Sequence, residues 1–366
     1  MLGILLILIF IRPFISSLAS FCENSIYTVL LLSFLAVWII IRGIHLHKVK
    51  PIIFPLVLFI VALVISLIFS RNRAISIEEL YKYASGILLL YIGISLSEKE
   101  KNSVIVCIVL AGFVISLTAI YQYFFGFQNL LIYAAKKGVS DPFVLDYIGR
   151  RRPFYPFVTP NILAGYLGMI IPLIFTQKHK PWLIIPLSFA LLLTKSMGAL
   201  LSLFLGLIIY LYLKGNLKKK GILFLVVLLI IITGVLISRY VAQKSHTLPM
   251  FSVIMRLNYW EETLRIIKIH PWLGTGLGNF NLIQSRYAHN SYLQVWAEAG
   301  ILGIVSFLWL MIAVFKKGFR NLSLTTASAV FLMHNFVDFT FFLPEVSLIW
   351  WILLGLTLIP PKIISK

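Results

Sequence analysis

The stretch GILFLVVLLIIITGVLIS, residues 221–238, contains no charged side chain. An apolar run of this length is about long enough to cross the hydrocarbon core of a bilayer as a helix. Of the 366 residues in the chain, 60% are hydrophobic and only 12% are charged, whereas about 25% of residues are charged in soluble domains. The sequence therefore predicts an all-α polytopic membrane protein.

Apolar segments of similar character recur along the chain and predict about twelve transmembrane helices, packed as a single membrane domain over residues 1–366. Helices are expected because lipid offers no hydrogen-bond partner to an unpaired backbone group. The predicted spans are residues 2–20, 26–43, 52–70, 82–97, 103–126, 157–176, 181–194, 198–213, 221–238, 291–315, 322–342 and 345–361.

Short basic segments alternate with the predicted spans and indicate their orientation. They are residues 45–50, 98–101, 177–180, 214–220, 316–320 and 362–366. Lys and Arg in short loops mark the cytoplasmic side, and twelve spans place all six segments there together with both termini. Two long connections, residues 127–156 and 239–290, then lie on the outer side. Connections of this length commonly bind or catalyse.

The formal net charge of +20 does not indicate nucleic-acid binding, because most of the cations lie in short loops between apolar runs. We attribute these cations to topology signalling and to contact with anionic membrane lipids. Topology does not explain the cations of the outer connections, which include Arg150, Arg151, Arg152, Arg239, Lys244, Arg256, Arg265, Lys268 and Arg286. Each could be a solvated surface residue, whereas a cluster facing an anionic ligand would explain them together.

The candidate catalytic residue is His289, in the polar stretch GTGLGNFNLIQSRYAHNSYLQVWAEAGILG at residues 274–303. It directly precedes the tenth predicted span, at the interface where lipid-borne substrates lie. Arg286 lies one helical turn before it and Asn290 follows it. An unperturbed imidazole has a pKa of roughly 6.5, which suits a general base for a hydroxyl group. The alternative is an ordinary surface histidine.

Two arginines on separate outer connections, Arg152 and Arg256, are the candidate phosphate ligands. A guanidinium binds phosphate oxygens through two hydrogen bonds and neutralises a departing diphosphate. The alternative for Arg152 is that residues 150–152 contact lipid headgroups. Apolar residues at positions 257, 260, 264 and 267 predict an amphipathic helix around Arg256. Glu298 is predicted either to orient polar groups in the site or to form an intramembrane ion pair.

Other types of chemistry find little support in the sequence. No D-x-D pair lies in the outer connections, and neither a Ser-His-Asp arrangement nor a metal-ligand spacing is evident, so we predict neither a metal nor a cofactor. The glycine turn at residues 274–278 does not match a nucleotide-binding motif. His334 and Asp338 share one helix face. They are predicted to form a structural pair, or alternatively a proton relay of the kind a transporter uses.

Three spacings together indicate a family. One is a His-Asn pair, nine residues, Gly, two residues and a second Gly. The second is Arg-x3-Trp followed by Pro and a glycine turn that ends in Phe. The third is an Arg, eight residues and an Asn-x-x-Ala-like segment. The first pattern is formed by His289, Asn290, Gly300 and Gly303, the second by Arg256, Trp260, Pro271, Gly274, Gly276, Gly278 and Phe280, and the third by Arg152, Asn161, Ile162 and Ala164. In these features the chain resembles the O-antigen ligase/polymerase superfamily of bacterial membrane glycosyltransferases.

The resemblance implies a metal-independent helical bundle of the GT-C type in the bacterial inner membrane, with the large periplasmic loop between spans nine and ten. Its donor would be a glycan on undecaprenyl pyrophosphate, and its acceptor a sugar hydroxyl of lipid A–core. His289 would then be the general base of an inverting transfer, and Arg152 and Arg256 would bind the pyrophosphate. Supporting roles would fall to Asn290, Arg286, Trp260, Asn161 and Glu298.

Three alternatives stay open at this point. A polymerase that joins repeat units, or a protein O-oligosaccharyltransferase, would belong to the same superfamily. A lipid or glycan transporter without bond-forming chemistry would use His334 and Asp338 instead. Such a transporter is expected to show charges across the membrane and a repeat between its halves, and the sequence contains few such charges and no such repeat.

Overall fold

The computed structural model describes residues 1–139, 142–176, 180–216, 218–244 and 251–359. Within these residues the regular structure is helical and no β-strand occurs, which confirms the predicted all-α class. The predicted basic segment at residues 362–366, and most of the one at 177–180, lie outside the described residues.

Sixteen α-helices occur within the described ranges. In chain order they are α1 (Leu2–Ile11), α2 (Phe21–Arg42), α3 (Leu46–Val49), α4 (Ile53–Ile68), α5 (Arg73–Ser95), α6 (Glu98–Tyr121), α7 (Phe127–Lys136), α8 (Pro142–Gly149), α9 (Pro160–Ile170), α10 (Ile184–Thr194), α11 (Met197–Leu213), α12 (Lys219–Lys244), α13 (Phe251–Ile269), α14 (Ser291–Gly318), α15 (Leu322–His334) and α16 (Pro344–Thr357). A π-helical segment, Gln122–Gly126, joins α6 to α7, and short 3-10 helices lie at Arg12–Phe14, Ile171–Thr176, Pro181–Leu183 and Thr340–Phe342.

Four helices are long and apolar enough to cross a membrane: Phe21–Arg42, Glu98–Lys136, Lys219–Val241 and Ser291–Gly318. Seven shorter apolar helices of 10–17 residues accompany them. Each of the twelve predicted spans overlaps one of these helices or α5. This composition is that of an integral membrane protein, while the count of twelve spans stays a prediction.

The two connections that are predicted to lie on the outer side contain several helices. Residues 127–136 continue from α6 as α7, and α8 follows within the predicted first connection. The amphipathic helix predicted around Arg256 is α13. The large connection therefore places Arg256 and Trp260 on a helix, which fixes the direction of these side chains better than an irregular loop would.

The helices pack in pairs around a buried centre formed by α9 and α16. α16 lies against α5, α11 against α15, and α14 against α4. Glycines allow the closest of these approaches. A side chain on Gly355 would meet the carbonyl oxygen of Leu90, and one on Gly93 would lie 2.7 Å from the carbonyl oxygen of Ile352. Small residues at such crossings let two helix backbones touch, which supplies dispersion energy where lipid gives no hydrophobic drive.

Candidate active site

A cavity of about 490 Å³ lies between the beginning of α11, the end of α12, the first half of α13 and the chain that follows α15. Its apolar wall comes mainly from α11 and α13. Its polar and charged lining includes Asn161, Arg239, Arg256, Trp260, His334 and Asp338. Two of the predicted supporting residues, Asn161 and Trp260, therefore meet the predicted phosphate ligand Arg256 at one cavity.

The end of α10 fixes two arginines beside this cavity. Lys195 follows the helix in the left-handed conformation, with φ of 51°. Arg152 donates from Nε to the Thr194 carbonyl oxygen at 2.7 Å, and Arg239 donates from Nη1 to the Lys195 carbonyl oxygen at 3.0 Å. Carbonyl groups at a helix C-terminus lack partners within the helix and bear partial negative charge, so they favour cations. Arg152 also donates from Nη2 to Asn161 Oδ1 at 3.0 Å.

Among the described side chains that line the cavity, two guanidinium groups occur with one carboxylate. Arg256 Nη2 lies 4.0 Å from Asp338 Oδ2, and the charges of Arg239 and Arg256 both act on Arg152. Burial, followed by the nearby charge of Arg239, lowers the pKa of Arg152 to about 9. Arg152 therefore stays protonated at neutral pH, but its charge is poorly compensated. An anion bound in the cavity would relieve this repulsion.

His289 lies next to the cavity and contacts it through Trp260. The Trp260 indole donates from Nε1 to the His289 carbonyl oxygen at 3.4 Å. The imidazole stacks on Tyr259 with ring centroids 5.4 Å apart, and the edge-to-face contact with Phe339 has a centroid distance of 4.7 Å. Nδ1 is buried and makes no hydrogen bond with the described residues.

The electrostatic environment of His289 favours the neutral imidazole. Burial lowers its pKa below the usual value, the Asp338 carboxylate raises it, and Arg256 lowers it, with a net lowering. A neutral imidazole can accept a proton at neutral pH, as a general base must. The backbone at His289 is also unusual, with φ of 51°. A left-handed residue other than glycine is uncommon and is often associated with a functional site.

The residues that flank His289 differ in what they contact. Asn290 caps α14, because its Oδ1 accepts hydrogen bonds from the backbone N–H groups of Tyr292 and Leu293, each at 3.1 Å. Arg286 is exposed, and its guanidinium lies 5.9 Å from the ring centroid of Tyr287. The structure does not place Arg286 among the residues that line the cavity.

The glycine turn predicted at residues 274–278 docks onto a break in α14. Gly300 has φ of 67° and ψ of −171°, and a side chain there would collide with the Trp272 carbonyl oxygen. Only glycine adopts this conformation readily. The break frees two carbonyl groups of α14. The Ala297 oxygen accepts from Thr275 N–H at 2.8 Å, and the Glu298 oxygen accepts from Gly276 N–H at 3.1 Å.

Glu298 lies in this docked region, away from the cavity lining. Its side chain is buried and accepts hydrogen bonds from Gly278 N–H at 3.0 Å and from the Gln294 amide at 2.9 Å. These two contacts correspond to the first of the two predicted readings, in which Glu298 orients polar groups. No ion pair of Glu298 occurs within the described residues.

Sequence reasoning missed three residues of the cavity. Arg239 is one of several unexplained cations in the outer connections, and its position at the end of an apolar span gives no sign of a partner. His334 and Asp338 were treated as separate from the site. They do lie close together, with Nε2 and Oδ2 3.6 Å apart, but both line the cavity that contains Arg256. A buried acid in an apolar segment was the available signal.

Chemically, this site is a cationic cavity on a helical membrane protein, with a neutral histidine beside it. Within the described part of the chain, no group of three His, Cys, Asp or Glu residues is placed to bind a metal ion. Residues 182–308 match the sequence model of a family described as O-antigen ligase. This match supports the resemblance to the O-antigen ligase/polymerase superfamily that the sequence motifs indicate. No curated protein matches the chain significantly.

Proposed function

We propose that this protein is an O-antigen ligase that transfers a glycan from undecaprenyl pyrophosphate to a sugar hydroxyl of lipid A–core. The observation that supports it best is that Arg239 and Arg256 line one cavity, while Arg152 lies beside it and donates to the lining residue Asn161, with the neutral His289 close by. The match to the O-antigen ligase family supplies the class of reaction. In this proposal the site lies on the periplasmic side of the inner membrane, in a bundle of the GT-C type with both termini in the cytoplasm.

The arginines would bind the diphosphate of the donor. Arg239 and Arg256 line the cavity and Arg152 lies beside it, and the negative charge of a diphosphate diester would offset the charges of these guanidinium groups. Guanidinium groups bind such oxygens through paired, charge-assisted hydrogen bonds. As the bond to the glycan breaks, negative charge grows on the departing diphosphate, and fixed cations in a dry cavity stabilise it most at that moment.

His289 would remove the proton from the acceptor hydroxyl. The hydroxyl oxygen attacks the anomeric carbon, the bond from that carbon to the diphosphate oxygen breaks, and the proton moves to the imidazole. Attack opposite the leaving group inverts the configuration at the anomeric carbon. Asp338 would favour the imidazolium formed in this step, since its charge raises the His289 pKa. No step requires a metal ion, because the arginines neutralise the leaving group.

The test is a transfer assay with purified protein, a lipid-linked glycan donor and lipid A–core. His289→Ala should reduce transfer by about 100-fold or more and leave binding of the lipid diphosphate unchanged. His270→Ala is the matched control. His270 follows α13, and its Nε2 lies 3.0 Å from Arg71 Nη2. Wild-type transfer by the His289→Ala variant would remove His289 from the mechanism.

The acceptor is tested in a second arm of the same assay. A lipid-linked repeat unit replaces lipid A–core, and a ligase should give no joined product. Elongated lipid-linked glycan would identify a polymerase instead. If the protein moves donor across a vesicle membrane and forms no glycosidic bond, the transporter alternative would hold.

A further inference from the structure

Two buried side chains connect the glycine turn to the backbone beside His289. Gly278 N–H donates to Glu298 Oε2 at 3.0 Å, and Gln294 Nε2 donates to Glu298 Oε1 at 2.9 Å. Gln294 Oε1 then accepts from Ala288 N–H at 3.1 Å. Both side chains are buried, with 3% of Gln294 and 1% of Glu298 exposed. We call this chain of hydrogen bonds the 294–298 relay.

The two ends of the relay determine which side chains can complete it. Each end is a backbone N–H group, which can only donate. An amide has one donating and one accepting group, whereas a carboxylate accepts on both oxygens. One amide and one carboxylate therefore satisfy both ends, whereas two amides leave a buried donor facing another donor. Buried donors without partners are strongly disfavoured.

One end of the relay is the backbone N–H group of the residue before His289. Ala288 immediately precedes His289, and its N–H is fixed by Gln294. On the other side, the His289 carbonyl oxygen accepts from Trp260 and Asn290 caps the next helix. These contacts fix the backbone on both sides of a residue in the left-handed conformation.

We infer that Gln294 and Glu298 are positioning residues for His289, coupling the glycine turn to the placement of its imidazole. The inference rests on the proposed function of His289 as the base. It explains why a carboxylate is buried next to an amide one helical turn away: the carboxylate turns the Gln294 amide so that its oxygen faces Ala288. The donor-binding arginines lie on other elements and should not be affected.

Glu298→Gln tests the requirement for a carboxylate without changing the size of the side chain. It leaves one donor unpaired in either orientation of the two amides. We expect kcat to fall by about 10- to 100-fold, because displacing a catalytic group by about 1 Å can reduce the rate by about 100-fold. The KM for the lipid-linked donor should stay within about twofold of wild type, since the arginines are untouched. A loss of packing alone would not separate kcat from KM in this way.

The exchanged pair, Gln294→Glu with Glu298→Gln, restores the pattern. The carboxylate now at position 294 would accept from Ala288 N–H and from the amide now at position 298. The oxygen of that amide would accept from Gly278 N–H. We expect kcat to recover to within a few-fold of wild type. Ser66→Ala is the control, since it removes a 2.7 Å hydrogen bond to the Glu298 backbone oxygen and leaves the relay intact.

Amide hydrogen exchange at residues 288–289 gives a readout that does not depend on transfer. Exchange should be faster in Glu298→Gln and return to the wild-type rate in the exchanged pair. Wild-type kcat and exchange in Glu298→Gln, or an exchanged pair as impaired as that variant, would overturn the relay. If Glu298→Gln does not fold, the exchanged pair decides by itself, because it is expected to fold and transfer. Failure of the proposed function would differ, since wild type would then form no product while the exchange pattern persisted.

Discussion

The cationic cavity and the docked glycine turn are built in opposite ways. Arg239 of α12 and Arg256 of α13 line the cavity and Arg152 lies beside it, so that like charges come close together. The turn region at residues 271–300 is nearly continuous in sequence and is closed by backbone hydrogen bonds onto a break in α14. In the first region like charges lie close together, and a bound anion would offset them. In the second region the carbonyl groups freed by the break in α14 accept hydrogen bonds from the turn. We infer that binding and positioning are divided between them.

The largest expected effect follows from closing the break in α14. Gly300→Ala should abolish transfer and destabilise the protein, because a side chain would meet the Trp272 carbonyl oxygen and the backbone conformation alone costs roughly 1–3 kcal/mol. Thermal unfolding in detergent and the transfer assay measure both. Gly234→Ala is the control, since a side chain there meets nothing within 4 Å. A Gly300→Ala variant with normal stability and activity would show that the break is dispensable.

A smaller effect, mainly on donor binding, is expected beside the cavity. Arg152→Ala should weaken the binding of a lipid diphosphate by about 10- to 100-fold, as expected for loss of a charged hydrogen-bond donor worth about 1.5–3 kcal/mol. Thermal stability should fall by about 1–3 kcal/mol, because the Thr194 carbonyl oxygen and Asn161 Oδ1 lose their donor. Binding of fluorescent lipid diphosphate and thermal unfolding give the two numbers. Arg265→Ala is the matched control, since Arg265 is exposed and pairs with Glu261 at 2.6 Å. Normal diphosphate affinity in Arg152→Ala would exclude Arg152 from the donor site.

The smallest effect links the two regions through Asp338. This carboxylate raises the pKa of His289 and lies 4.0 Å from Arg256. Asp338→Asn should lower the pKa of His289 further. Because the base acts in its neutral form, the acid limb of the kcat–pH profile should move to lower pH, and the plateau rate should fall by a few-fold. The amide introduced at position 338 can still accept the 2.8 Å hydrogen bond from Phe339 N–H, but the buried charge opposite Arg256 is lost, so thermal stability should also fall. An acid limb that stays in place or moves to higher pH would contradict this coupling.

Local spacing made the turn region largely predictable. The His-Asn pair, the nine-residue interval and the glycine are now explained by a helix that begins after its Asn290 cap and breaks at Gly300. These are short-range requirements of backbone geometry, so they leave a pattern in the sequence. The same reasoning predicted α13 from its apolar spacing. Arg286, a predicted supporting residue, is not among the residues that line the cavity. The direction of its side chain depends on the turn before α14, whose conformation the sequence spacing does not define.

The cavity was less predictable because its residues are distant in sequence. Arg239 is fixed by a carbonyl group at the end of α10, and Asp338 reaches Arg256 from a distant part of the chain. Neither contact imposes a spacing that a reader of the sequence could recognise. In the first long connection, likewise, spacing gives no sign that α7 continues from α6 through a π-helical segment.

Composition and spacing are sufficient to predict a helical membrane protein, its apolar helices, and one histidine and two arginines as candidate site residues. Those predictions depend on composition and on spacings within one or two helical turns, where covalent geometry limits the outcome. The cavity that Arg239, His334 and Asp338 share with Arg256 is visible only in the folded chain, as are the hydrogen bonds that link Glu298 through Gln294 to Ala288 N–H. Those contacts depend on how helices pack against one another, which is decided by the summed contacts of the whole bundle.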